Sequence, residues 1–377
     1  MTARRFRSAL SLSLSMLPIV LLASCGGPKA PPPLTEAALR AVVDRPDAPH
    51  DMLARAVDNL FTDPAVGETR ALLVLHNGRI VAERYAEGYT KDTRLIGWSM
   101  SKTVTGVLIG LLISDGRLQL DEPAPVPAWR RPGDPRGEIT LRHLLQMRSG
   151  LHHVESTEPA GEADTVRMLV LDGRDDMAAY AQTQPLESVA GSKWEYSTAT
   201  SVILADIATR ALTESKDPAE RRQAVADYLQ SRLFTPLGMT SAVPEFDAAG
   251  TFVGGSMVHA TARDWAKLGE FLRNGGTVKG AQILPSDWVG LMVSPTPHNA
   301  GYGMQIWRNA PQPDGKEELF PSRGPRSIFA MIGHLGQYTI VSPDQHLTIV
   351  RLGKTDSPKR AALVQRLADI VELYRRN

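Results

Sequence analysis

A single cysteine among 377 residues excludes an internal disulfide framework, a thiolate zinc cluster and an iron–sulfur site. Charge of one sign is missing too. With 42 Lys and Arg against 41 Asp and Glu, no basic field points to nucleic acid. The 31 glycines and 27 prolines are too few and too scattered for a fibrous or disordered chain. Past Cys25 there is no apolar run of the roughly 20 residues that a bilayer requires. G-x-S-x-G, G-x-G-x-x-G, the P-loop and H-E-x-x-H are also absent, which weighs against α/β-hydrolase, dinucleotide, phosphate-loop and zinc-protease chemistry. His152 and His153 are adjacent and diverge on any regular element, so they offer no metal spacing. What remains, 42% hydrophobic and 22% charged residues, suits an enzyme body with one large core or two smaller ones, and calls for no metal or cofactor.

The first residues stand apart. Arg4, Arg5 and Arg7 form a basic stretch, and Leu10 to Leu22 form an apolar one interrupted by serines. That run is short for a permanent span and reads as a secretory signal over residues 1–24. Leu22-Ala23-Ser24-Cys25 resembles a bacterial lipobox, which implies cleavage before Cys25 and lipid attached to it. Residues 25–34 then make a Pro/Gly tether of semi-rigid character. The expectation is a lipoprotein anchored to a bacterial envelope membrane through Cys25 and facing the periplasm.

In the body, Thr35 to Phe61 reads as one or two helices broken near Pro46 and Pro49. Asn77-Gly78 between two β-rich runs marks a hairpin. Val104 to Ile113 is a strongly apolar helix stopped by Asp115-Gly116. Helical patterns fill the chain to about Met239, and another helix spans Thr261 to Arg273. Strands return with GYGMQIW, SIFAMIG, GQYTIVSP and HLTIVRLG, followed by an amphipathic helix from Pro358. Strands at both ends with helices between them predict an α+β fold: an antiparallel sheet flanked by helices, with a mainly helical domain inserted. An active site is then expected between the lobes.

Ser99-Met100-Ser101-Lys102 is the only S-x-x-K. It opens the apolar helix, so Ser99 and Lys102 fall one turn apart on one face. The helix N-terminus favours a developing oxyanion, and burial at the head of an apolar helix lowers a lysine toward a usable base. An N-cap serine beside a solvated lysine would give the same string. Tyr196, in WEYST just before the helix SVILADIATRAL, can relay a proton or simply pack. Gly333-His334-Leu335-Gly336-Gln337 puts glycines on either side of a histidine in a strand, a mark of close ligand approach or of a bulge.

In this order the pieces resemble the serine β-lactamases and penicillin-binding proteins. GWSMSK at 97–102, HLLQMRSGL at 143–151, WEYSTATS at 194–201, LFTPLGM at 233–239 and GHLGQ at 333–337 are similar to the class C-like branch of that superfamily. The stretch 245–272 looks most like 6-aminohexanoate-dimer hydrolases and related esterases. The resemblance implies a β-lactamase/transpeptidase-like domain over residues 35–375, with an α/β lobe at 65–117 and 250–377 and a helical lobe at 118–249. It implies Ser99 as the acylated nucleophile, with Lys102 and Tyr196 moving the proton. His334, Gly336 and Gln337 would bind substrate, the N–H groups of Ser99 and Gln337 forming the oxyanion hole. Two departures stand out: Thr198 replaces the asparagine of Y-x-N, and His334-Leu335-Gly336 replaces K-T-G. Both lost groups position a β-lactam, so the expected substrate is a small ester or linear amide in an apolar cleft near Trp98, Tyr302 and Trp307. β-Lactamase or D-alanyl-D-alanine carboxypeptidase activity, and a silent envelope binding protein, are the alternatives.

Overall fold

Alternation within the strands accounts for the central sheet. In β1 (Glu68–His76) Ala71, Leu73 and Leu75 join one apolar core, while Leu72 and Val74 join another on the opposite face. The structure is a computed structural model that describes residue 1, residues 33–315 and residues 318–374. Cys25 and nearly all of the expected signal and tether lie outside the described residues.

Asn77 and Gly78 turn the chain into β2 (Arg79–Tyr85) with φ of 52° and 75°, both positive as a two-residue type I′ hairpin requires. The sheet is completed by β3 (Trp307–Arg308), β4 (Phe329–Gly333), β5 (Gln337–Ser342) and β6 (Leu347–Lys354). All neighbours are antiparallel in the order β2-β1-β6-β5-β4-β3, so both ends of the chain meet at the β1–β6 ladder. A separate three-stranded ribbon joins Leu95–Ile96, Val258–Ala260 and Val243–Pro244.

Helices α1 (His50–Thr62) and α6 (Arg360–Glu372) bury their apolar stripes in the core on one face of the sheet. On the other face lie α2 (Ser101–Ser114) and α5 (Ala262–Arg273), with α3 (Thr198–Leu212) and α4 (Pro218–Leu229) beyond. α2 is buried from Ser101 through Leu112, as its all-round apolar sequence demands. α5 is capped by the Thr261 hydroxyl and lies so close to the sheet that a Cβ at Gly269 would sit 3.0 Å from the methyls of Thr339 and Thr348.

Residues 34–377 form one compact unit. The helical segment shares its core with the sheet: Leu144, Val202 and Phe252 cluster with Leu73 and Val350. The strand expected at GYGMQIW shrinks to β3. Gly303 lies where a Cβ would be 1.9 Å from the Met292 carbonyl, and Gln305 takes φ of 62°, so this stretch bends around a helix end instead of extending. Among the described residues no helix is long and apolar enough to cross a membrane.

Candidate active site

The turn Trp98–Met100 holds Ser99 immediately before the first turn of α2. Gly97 donates its N–H to the Val258 carbonyl at 2.9 Å, and Trp98 takes the uncommon φ of 48°. A Cβ at residue 97 would lie 2.2 Å from the Trp265 ring, so glycine is required there. Ser101 Oγ accepts from Val258 N at 2.9 Å and fixes the start of the helix to the ribbon.

Lys102 follows one turn after Ser99, and its Nζ lies 3.0 Å from Ser99 Oγ. Only 1% of the residue is exposed. Nζ also donates to Thr198 Oγ1 and to the Gly255 carbonyl, each at 2.8 Å, and sits 4.9 Å from the centre of the Tyr196 ring. Burial pulls the ammonium down to a pKa of about 8, against the opposing pull of the Glu155 carboxylate. The lysine is therefore a base available near neutral pH, as its place on the apolar helix suggests.

Tyr196 faces Ser99 from the loop before α3, stacked on Trp307 at 5.3 Å between ring centres and edge-on to Tyr302 at 5.9 Å. Burial first, then the Glu155 charge, raise its phenol far above the usual value, and the Ser99 hydroxyl only partly offsets them. Tyr196 stays protonated; Lys102 is the group that can be neutral. Trp98 and Trp307 are half-buried, whereas Tyr302 is 1% exposed and supports the stack from behind rather than lining a cleft.

The GHLGQ segment differs from its expected placement. β4 ends at Gly333, and His334, Leu335 and Gly336 form the turn to β5, with φ of 59° at Leu335 and 78° at Gly336. The residue that meets the Ser99 turn is Gly333: a Cβ there would lie 2.2 Å from the Gly97 carbonyl. His334 is exposed and edge-on to Trp98 at 5.5 Å; desolvation, then the Arg360 charge, hold it below the ordinary imidazole value. Gly336 packs against Leu363 and the buried Arg351, whose Nη1 donates to its carbonyl at 2.8 Å. Gln337 belongs to β5, flanked by β4 and β6, and its amide is spent on the Gly353 carbonyl at 2.7 Å and the His334 carbonyl at 3.0 Å. Arg360, a permanent cation near His334, is paired with Glu318 and donates to the Tyr338 hydroxyl at 3.1 Å.

One member of the site has no signal in the sequence. Glu155 Oε1 accepts from Thr198 Oγ1 at 2.6 Å, and Oε2 accepts from Thr198 N and His153 Nε2, each at 2.8 Å. Burial opposes its charge, but the His153 hydrogen bond, the Lys102 charge and the Thr198 hydroxyl together bring it down to about 2, even with 30% of the side chain exposed. The two adjacent histidines do diverge: His152 turns to Glu187 at 2.6 Å and His153 inward to Glu155. Among the described residues no three His, Cys, Asp or Glu side chains are grouped to hold a metal ion.

The fold agrees with that of known proteins. A 6-aminohexanoate-dimer hydrolase of Paenarthrobacter ureafaciens is 25% identical over 297 residues, spanning 77% of this chain and 74% of that one. A penicillin-binding-protein homologue from Caulobacter crescentus superposes with a TM-score of 0.60 at 16% identity, over 87% of this chain and 98% of the other. A family VIII carboxylesterase gives a TM-score of 0.59 at 17% identity, over 84% and 96% of the two chains. The Beta-lactamase family model matches residues 67–372. The chain belongs to the Beta-lactamase family and is a serine hydrolase built on its fold.

Proposed function

We propose that the protein cleaves a small ester or linear amide through an acyl-enzyme on Ser99. The observation that carries this reading is the buried Lys102 amine 3.0 Å from Ser99 Oγ, with its pKa lowered to about 8. Ser99 Oγ attacks the substrate carbonyl carbon while its proton passes to Lys102 Nζ. The carbonyl oxygen becomes an oxyanion facing the N–H of Ser99. We draw its second donor from the end of β4, where Gly333 abuts the Gly97 carbonyl, rather than from Gln337 inside the sheet. Collapse breaks the bond to the alcohol or amine, which takes its proton through the Tyr196 phenol. Water then attacks the ester on Ser99, and the same groups return the proton.

The substrate class follows from the charges. His334 is held below the ordinary imidazole value and Arg360 is paired with Glu318, so neither stands in for the free, permanent cation of the K-T-G lysine, and Thr198 stands where Y-x-N has asparagine. The Paenarthrobacter relative adds weight to a linear aminoalkanoyl amide. Side-by-side kinetics on p-nitrophenyl butyrate, a linear aminohexanoate dimer and nitrocefin test this. Higher kcat/KM for either linear substrate is expected; a nitrocefin value above both would restore β-lactamase as the activity.

We also propose that lipid on Cys25 tethers the enzyme to an envelope membrane, on the strength of the lipobox-like Leu22–Cys25 sequence. Several acyl chains hold where one does not, each buried CH₂ adding about 0.8 kcal/mol. Cys25→Ser should release the protein from the membrane fraction; unchanged fractionation would remove the anchor from the account.

A further inference from the structure

Thr198 Oγ1 lies between a cation and an anion, 2.8 Å from Lys102 Nζ and 2.6 Å from Glu155 Oε1. A hydroxyl has one proton to give, so the direction of this short chain of hydrogen bonds is decided by its outer end. That end is fixed. His153 Nδ1 is buried without a partner, which leaves the proton on Nε2, where it donates to Glu155 Oε2 at 2.8 Å. The Thr198 N–H and the Thr165 hydroxyl donate to the same oxygen at 2.8 and 3.1 Å. Surrounded by donors, the carboxylate is ionised and can only accept, so Thr198 points its proton at Glu155 and offers Lys102 nothing but lone pairs.

We propose that Glu155 is a positioning residue that, through the Thr198 hydroxyl, turns the lone pair of the Lys102 amine toward Ser99. Neutral lysine has two N–H bonds and one lone pair. Both of its other neighbours, Thr198 Oγ1 and the Gly255 carbonyl, must receive an N–H. The third direction, toward Ser99 Oγ at 3.0 Å, is left for the lone pair. Without Glu155 the Thr198 proton could turn to the amine and occupy the lone pair that the serine proton needs. The inference rests on the reading of Lys102 as the base for Ser99.

Phosphonylation of Ser99 by a fluorophosphonate, followed as a rate against pH, tests it without knowledge of the substrate. The groups facing Lys102 are Glu155, Thr198, Ser99 and Tyr196, and those facing Glu155 are His153 and Thr165. Glu155→Gln removes a charge that raises the lysine, so its acid limb should move to lower pH. At the same time the plateau rate should fall ~10-fold or more as the lone pair is misdirected. Thr198→Val should lose the plateau similarly, and Thr198→Ser, which returns the hydroxyl, should recover most of it. A Glu155 that acted through its charge alone would move the limb and leave the plateau unchanged, and that result would overturn the proposal. A Glu155→Gln profile that superimposes on the wild type, or equal rates in Thr198→Val and wild type, would overturn the proposal. If Glu155→Gln does not fold, the Val and Ser pair decides alone. A wild type that is never labelled at Ser99 defeats the underlying hydrolase reading instead.

Discussion

On the proposed mechanism Lys102 takes the serine proton only once it has lost its own, so acylation should rise with pH through about 8. The same burial shows in stability with a definite sign. A lysine lowered from 10.5 to about 8 binds fewer protons folded than unfolded across that window, so wild-type stability relative to Lys102→Met should climb as pH rises from about 8 to 10.5. Two and a half pKa steps correspond to about 3 kcal/mol, lessened by whatever Glu155 loses in the same variant. Urea unfolding of both proteins at pH 7 and pH 10 checks this, and parallel pH dependences would refute it. Tyr196→Phe keeps the stack on Trp307 and removes only the hydroxyl. Folding should survive while turnover falls by about 10²-fold or more; a wild-type rate would reduce Tyr196 to packing.

Elements meet at two places that set the geometry. The end of β4 presses on the Ser99 turn at Gly333, with no room for a methyl beside the Gly97 carbonyl. Gly333→Ala should therefore leave the fold largely intact and slow Ser99 phosphonylation by ~10²-fold, since a displacement of about 1 Å in a positioned group costs that much. Equal losses in rate and in melting temperature would make Gly333 a packing residue. On the far side of the turn, buried Arg351 on β6 donates to the carbonyls of Glu68 and Gly336 and to the Thr69 and Thr355 hydroxyls. Arg351→Met should cost about 2–4 kcal/mol in chemical denaturation by stranding those acceptors.

The same elements explain what could be read ahead of the structure. Ser99 and Lys102 were legible because they stand three residues apart where the chain turns into α2, which brings them within one turn of each other. The β1–β2 hairpin was legible because Asn77-Gly78 suits a turn with two positive φ values. The corner at 333–337 was not, because a period-2 pattern bounded by two glycines does not tell which one ends the strand; packing against Gly97 selects Gly333. Glu155 was not legible because its link to Lys102 runs through Thr198, 43 residues further along the chain, and through a loop with no repeating pattern.

At the scale of the molecule, one antiparallel sheet stitched from early and late strands of the chain holds the strand end and the aromatic stack against the serine and lysine at the start of α2. The helical segment shares the core beneath α2 with the sheet. This account stands or falls on Ser99 being the nucleophile with Lys102 as its base. The most direct measurement is fluorophosphonate labelling with peptide mapping across pH 6 to 10, on the wild type, Ser99→Ala and Lys102→Ala. The account predicts a single label on the Ser99 peptide, its rate rising through about pH 8, and no label in either variant. A label on another residue, or Ser99 labelled as fast in Lys102→Ala, would contradict it.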